Sequence, residues 1–324
     1  MIKSRLSIPS FLAAASVLFC VVSTAKAQDK VLLRMNLQPG QTFDQGYAME
    51  MKVFGAVPKQ PMDMTTTGQF GIHLEVLGVD DDGNIKLKAT YQTIVSKTQG
   101  VAGGKAIPAQ NYDSKNPPKN IPAGLDSLAG MVGMSLVETM SPQGKILKVE
   151  GLDAIVQKIM AKNKDTVMRD ATSQVLKESI EGKSKEVSSM IKFPESPIAV
   201  GDSWTNVVSL PILPQLTMKY TLMSSQNGVA TIAVRADFSP NPITPNLKTP
   251  LPPMKISISG TETGVMRVDE KTGLTISSEL NMRMKDVTSM TKSTSKSKTK
   301  PAKPSAITVY MKGTMHGWTV KLPQ

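Results

Sequence analysis

Four times along the chain, two runs of alternating apolar and polar residues meet at a turn that carries glycine. "GQFGIHLEVLGV" and "NIKLKATYQTIV" meet at Asp82-Gly83, "SLVETM" and "KILKVEG" at Gly144. Further on, "LTMKYTLMSSQ" and "VATIAVRADFS" meet at Asn227-Gly228, and "GVMRVDE" and "LTISSELNMRMK" at Gly273. A period of two sends one set of side chains to the core and the other to water, and glycine supplies the positive φ of a hairpin turn. Such a chain is committed to antiparallel sheet. The acidic triplet at 80–82 belongs to turn chemistry. A calcium loop would need glycine where Ile85 stands and glutamate where Tyr91 stands.

The order of these elements repeats. Each half runs joint, hairpin, Pro/Gly-rich connector, hairpin, which indicates an internal duplication with the extra length of the first copy in loops. Between the copies, residues 152 to about 191 change to helical spacing, with Ile155, Val156, Ile159 and Met160, then Val175, Leu176 and Ile180. The expected fold is therefore α+β and β-rich, with a first β-unit at 28–150, a helical insert at 151–193 and a second β-unit at 194–324. Two arrangements satisfy this pattern: one curved sheet with the helices on its concave face, or two lobes. The first is similar in layout to periplasmic lipoprotein carriers.

Each copy opens on the same phrase, "NLQPGQTFDQ" at 36–45 and "SPIAVGDSWT" at 196–205. Gly40 and Gly201 read as turns, and Phe43 and Trp204 as the core anchors that those turns deliver. Asp202 beside Trp204 leaves a ligand-facing role open. Ser203 lacks a nucleophile elbow, and the chain has only two histidines, His73 and His316. "FPESPIAVGDSW", together with "LQPGQTF", "YQTI" and "VDEKTGL", resembles the signature of an uncharacterised family of exported bacterial proteins, a domain of unknown function. That resemblance implies export and architecture and no reaction. Residues 50–67 and the lysine-rich stretch read as features particular to this member.

The first 27 residues read as a cleaved signal peptide: Lys3 and Arg5, an apolar run, then Ala25-Lys26-Ala27 as cleavage site. Export to the periplasm or beyond is the expected localisation. The single cysteine, Cys20, falls inside that segment, so the mature chain offers neither disulfide nor thiol chemistry. No later stretch is apolar and long enough to span a bilayer as a helix. The signal carries three of the 38 basic residues and none of the 26 acidic ones, so the mature chain stays basic. Five lysines, Lys292, Lys296, Lys298, Lys300 and Lys303, crowd into 291–305. Without interleaved aromatics they exclude a nucleic-acid surface and point to a solvated loop or to an anionic envelope surface.

No metalloprotease, P-loop, dinucleotide or triad pattern is present, so a catalytic role is not expected and no cofactor is implied. The compositional oddity is methionine, 21 residues, often spaced by two as in Met49/Met51, Met62/Met64 and Met282/Met284. In a strand that spacing puts both thioethers on one face. Such a face packs a curved core, adapts to a lipid or other apolar ligand, or offers soft ligands to Cu(I), with Met282, Met284, Met315 and His316 as candidates. The leading expectation is a non-catalytic envelope binding or scaffold protein. A copper protein, or an enzyme with an unrecognised carboxylate site, is the alternative.

Overall fold

The computed structural model describes residues 30–57, 60–121, 125–151, 153–155, 157, 191–210, 213–238, 254–290 and 306–321. The signal segment, most of the helical insert and the lysine-rich stretch lie outside the described residues. Twelve strands form one antiparallel sheet. The first half supplies β1 (Thr42–Val57), β2 (Gln60–Val79), β3 (Ile85–Ala102), β4 (Lys105–Asp113), β5 (Ser135–Met140) and β6 (Ile146–Glu150). The second supplies β7 (Ser203–Leu210), β8 (Leu213–Gln226), β9 (Val229–Phe238), β10 (Met254–Asp269), β11 (Thr275–Met290) and β12 (Ala306–Lys321). A short helix α1 (Asp126–Met131) precedes β5.

Each half is a meander, and the strand order is β6-β5-β3-β2-β1-β12-β11-β10-β9-β8-β7, with β4 paired to β3 off this path. The halves join where β1 pairs with β12, from Phe43↔Lys321 to Ala56↔Thr308. One sheet, not two lobes, is the outcome. All four expected hairpins are present, and their turns show why glycine is there: Gly83, Gly144, Gly228 and Gly273 have φ between 74° and 82°. Asn227 also has a positive φ of 53°, so Asn227-Gly228 makes the tight turn that needs both central residues left-handed. The Asp80 carboxylate accepts from the Asn84 side-chain amide and from the backbone N–H groups of Asn84 and Asp82, which closes the acidic turn and holds its pKa below the ordinary value.

Two segments depart from expectation. Residues 50–67 are not a loop insertion; apart from 58 and 59, outside the described set, they lie in the long β1–β2 hairpin. The first connector holds β4 and α1. Pro108 is tolerated in β4 because it falls where the β3–β4 ladder shifts register, on a strand with one neighbour. Helix α1 flanks a small core of Ile94, Tyr112 and Leu125.

The matched joints recur in hydrogen bonding as well as in sequence. The Gly40 N–H donates to the Val76 carbonyl and the Val76 N–H to the Gln41 carbonyl. Likewise, the Gly201 N–H donates to Leu222 and the Leu222 N–H to Asp202. With φ at 81° and 95°, both glycines hold the left-handed turn that delivers the next aromatic inward. Phe43 is 2% exposed in a core with Leu37, Leu74, Val76 and Leu87. Trp204 stacks on the buried Tyr220, ring centroids 5.3 Å apart, and its indole N–H donates to the Lys192 carbonyl at 2.8 Å.

The sheet curls strongly, and two adjacent residues prove it. The Met35 N–H donates to Pro142 in the β5–β6 turn, and the Asn36 N–H to Thr272 in the β10–β11 turn. Four strands separate those hairpins along the sheet, and neighbouring strands lie ~4.8 Å apart, whereas consecutive Cα atoms are ~3.8 Å apart. The segment 30–37 thus plugs one end of a rolled sheet. A second segment, 191–200, lies across the same end. The Phe193 N–H donates to Gln143, Ile198 bridges Val31, and the Arg34 guanidinium donates to the carbonyls of Pro194 and Glu195.

Candidate functional site

Directly opposed residues of neighbouring strands point to one side, so register assigns every side chain a face. One face carries the rows Leu280–Met315–Met49–Gly68, Met282–Gly313–Met51–Thr66 and Met284–Met311–Val53–Met64. The row above them, Met266–Ser278–Gly317–Tyr47–Phe70–Ile94, leads toward the plugged end. This is the inner face, since Met266 and Leu280 belong to the main core with Leu33, Phe193, Tyr220 and Ile232. The opposite face carries Arg283–Lys312–Lys52, Lys285–Tyr310–Phe54–Asp63 and Glu279–His316–Ala48.

Between the plug and the methionine rows lies a cavity of about 560 Å³. Its walls are largely apolar: Ile72, Leu74, Leu87, Ala89, Leu136, Met140, Ile146, Met266 and Leu274, with Met35 of the plug above. The volume falls in the roughly 300–1,000 Å³ range of small-molecule sites. Gly317 helps to make the room. A Cβ there would stand 2.7 Å from the Ser278 hydroxyl and 3.3 Å from the Tyr47 ring. Below the cavity, Met49, Met51, Met64, Met282, Met284, Met311 and Met315 are all only half-buried, so the apolar wall continues as an accessible trough.

Among the described residues, three ionisable side chains line the cavity, Tyr47, Tyr91 and Glu138, and no base does. Burial raises the Glu138 carboxyl above its ordinary pKa, because the charged form is poorly solvated there. Burial also raises both phenols, and the nearby Glu138 charge raises them further. A second inner-face acid, Glu262, sits opposite Met282 and is raised by burial too. Burial pushes Tyr220 up as well, with Glu262 adding to it. These acids carry no signal in the sequence beyond their place in the alternation.

The structure separates the copper candidates. Met282, Met284 and Met315 share the inner face, while His316 points outward opposite Ala48 and Glu279. Among the described residues, no group of three or more His, Cys, Asp or Glu is placed to hold a metal ion. Gly40, Phe43, Gly201 and Trp204 form the joints, and Asp202 caps its own turn by accepting from the Ala199 N–H. His73 pairs with Asp44 at 2.8 Å. Lys292, Lys296, Lys298, Lys300 and Lys303 lie outside the described residues. Trp318 lies on the outer face over Gly46 and is 45% exposed.

Residues 82–275, from the β2–β3 turn to the first residue of β11, match the profile of a family of unknown function, DUF6263. The chain belongs to that family. The matched span covers the joint at Gly201 and three of the four hairpin turns in full, and leaves out β1 and β12, the strands of the seam. No curated protein matches this DUF6263 chain. Among solved structures it is similar to one titled for lipid–protein interactions in lipovitellin, at 7% identity and a TM-score of 0.44. That match takes in 89% of this chain and 26% of the other, so the chain spans about a quarter of that protein's length. It is also similar to an outer membrane channel from Pseudomonas putida F1, at 8% identity, 90% and 98% coverage and a TM-score of 0.24.

Proposed function

We propose that this chain is an exported, non-catalytic binding protein of the cell envelope that holds an apolar ligand, the hydrocarbon part of a lipid, along the inner face of its rolled sheet. In this reading residues 1–27 are a signal peptide, and 151–193 join two β-units of common origin. One observation carries the proposal: apolar and methionine side chains run in register from a 560 Å³ cavity into an accessible trough across β11, β12, β1 and β2. Unbranched thioether side chains re-pack around ligands of different shape. Native mass spectrometry of protein purified from its own envelope, followed by lipid extraction, tests the reading. The expected result is a bound lipid, and about tenfold weaker uptake of a fluorescent fatty acid by Met282→Asp or Met315→Asp with Thr314→Asp, on the outer face, unchanged. A clean apo mass together with no uptake by the wild type overturns it.

A specific observation also favours an anionic envelope surface as partner. Lys312 stands directly opposite both Arg283 and Lys52. Like charges in direct opposition destabilise a sheet, and among the described residues only Lys52 of the three has a counter-charge, Asp63 at 3.6 Å. In the next row Lys285 lies 5.8 Å from the Tyr310 ring, which stacks on Phe54, and both rings are 40% exposed. Cations beside exposed aromatics suit the interface of an anionic bilayer, where each Lys or Arg contributes about 1 kcal/mol. In sequence, the five lysines of 291–305 fall between β11 and β12.

A further inference from the structure

Among the described residues Glu138 has no structural partner. It projects from β5 into the cavity, opposite Leu87 of β3 and Val149 of β6, with Leu136 and Met140 on the same strand beside it. Among the described residues, no side chain or backbone group bonds to its carboxylate. The same hairpin shows what a paired acid looks like. Glu150 meets Lys148 at 2.8 Å and Lys86 at 3.6 Å, and those lysines hold its pKa down. Any apolar residue at 138 would complete the wall without the cost of desolvating a carboxylate.

Among the described residues that line it, the cavity carries no cation. Two tyrosines, Tyr47 from β1 and Tyr91 from β3, face the same space, and the Tyr47 hydroxyl donates to Gln45 Oε1 at 3.1 Å, which leaves its oxygen lone pairs free to accept. Aromatic faces and phenol oxygens attract ammonium groups, and a carboxylate in an apolar setting binds an amine N–H more strongly than water-exposed carboxylates do. We propose that the cavity receives the cationic amine of an amphiphile, with the Glu138 carboxylate as its counter-ion, Tyr47 and Tyr91 around it, and the hydrocarbon chain laid along the methionine rows. The proposal rests on the inner face being the apolar-ligand site, and it names the chemistry of that ligand's polar end.

Competition against a fluorescent apolar probe tests it, with dodecylamine, dodecanol and dodecanoate as competitors. The proteins are wild type, Glu138→Gln and, for an equal loss of charge outside the cavity, Glu150→Gln. The wild type and Glu150→Gln should bind dodecylamine about tenfold more tightly than dodecanol, the return of one charge-assisted hydrogen bond. Glu138→Gln should erase that preference and leave dodecanol affinity unchanged. A preference that survives Glu138→Gln, or a wild type that prefers dodecanoate, overturns the proposal. Failure of the wild type to bind the probe or any of the three overturns the apolar-ligand reading as well. Should Glu138→Gln not fold, the wild type decides through pH. Among the described residues, Tyr47 and Tyr91 are the other titratable groups facing Glu138, and both stay neutral through the acid range. Dodecylamine affinity should therefore fall as Glu138 takes up its proton while dodecanol affinity stays level. Parallel curves refute the amine.

Discussion

Removing the two joint aromatics tests whether each β-unit is anchored where its glycine turn ends. Phe43 is almost fully enclosed, and truncating such a ring to alanine costs about 3–5 kcal/mol. Trp204 is only partly buried, so its contribution is built from parts. The stack on Tyr220 is worth about 0.5–1.5 kcal/mol, the bond to the Lys192 carbonyl about 0.5–1.5, and the apolar contact about 1–2. Trp204→Ala should therefore cost about 3 kcal/mol. Trp204→Phe keeps the stack and loses the bond, so it should cost about 1 kcal/mol. Urea unfolding followed by fluorescence reads these values, with the outward-facing Trp318 as a reporter in every variant. The two rings sit in different core clusters, so Phe43→Leu with Trp204→Phe should be additive within about 0.5 kcal/mol. If Trp204→Ala costs under about 1 kcal/mol, the indole is not an anchor, and its position beside Asp202 at the plugged end must serve something else.

Two further outcomes are expected. Lys312→Glu should weaken sedimentation with anionic vesicles severalfold at low salt, with the deficit closing as salt is raised, and should stabilise the sheet by a few tenths of a kcal/mol by relieving the row it shares with Arg283 and Lys52. Equal binding by variant and wild type removes the membrane surface. Glu138 and Glu262 both have folded pKa values raised by burial, so the folded state holds protons that the unfolded state has released. Stability of the ligand-free protein should therefore fall as pH rises from the unfolded carboxylate value through the raised folded one, and Glu138→Gln/Glu262→Gln should flatten that part of a melting-temperature profile. An unchanged slope refutes the assignment.

What the sequence discloses is local. Each hairpin is legible because a turn such as Asn227-Gly228 and the alternation beside it lie within about 25 residues. The shared face of Met282 and Met284 follows from strand periodicity alone. Pairing over long separation leaves no such trace. Nothing near Phe43 says that its β-partner is Lys321, and nothing in "VLLRMNL" says that it will plug the roll by reaching two hairpins at once. Pro108 and the flanking glycines disguised β4, because the rule against proline in strands applies to central strands and β4 is an edge. Alternation puts Glu138 on one face with Leu136 and Met140, and nothing nearby says that this face lines a cavity. Only the curl of the sheet turns its face inward.

The seam between β1 and β12 also sets an order of assembly. The first strand of the sheet waits for the last, across a separation of 278 residues between Phe43 and Lys321. Contacts so distant in sequence form slowly, because the loop between them must be closed first. Until residues 306–321 arrive, β1 and β11 each present an open edge, with the methionine rows uncovered between them. A nascent chain therefore exposes two strand edges that suit each other and equally suit a neighbouring copy. The closing strand is thus both the last piece of the fold and the chain's own protection against pairing with its siblings.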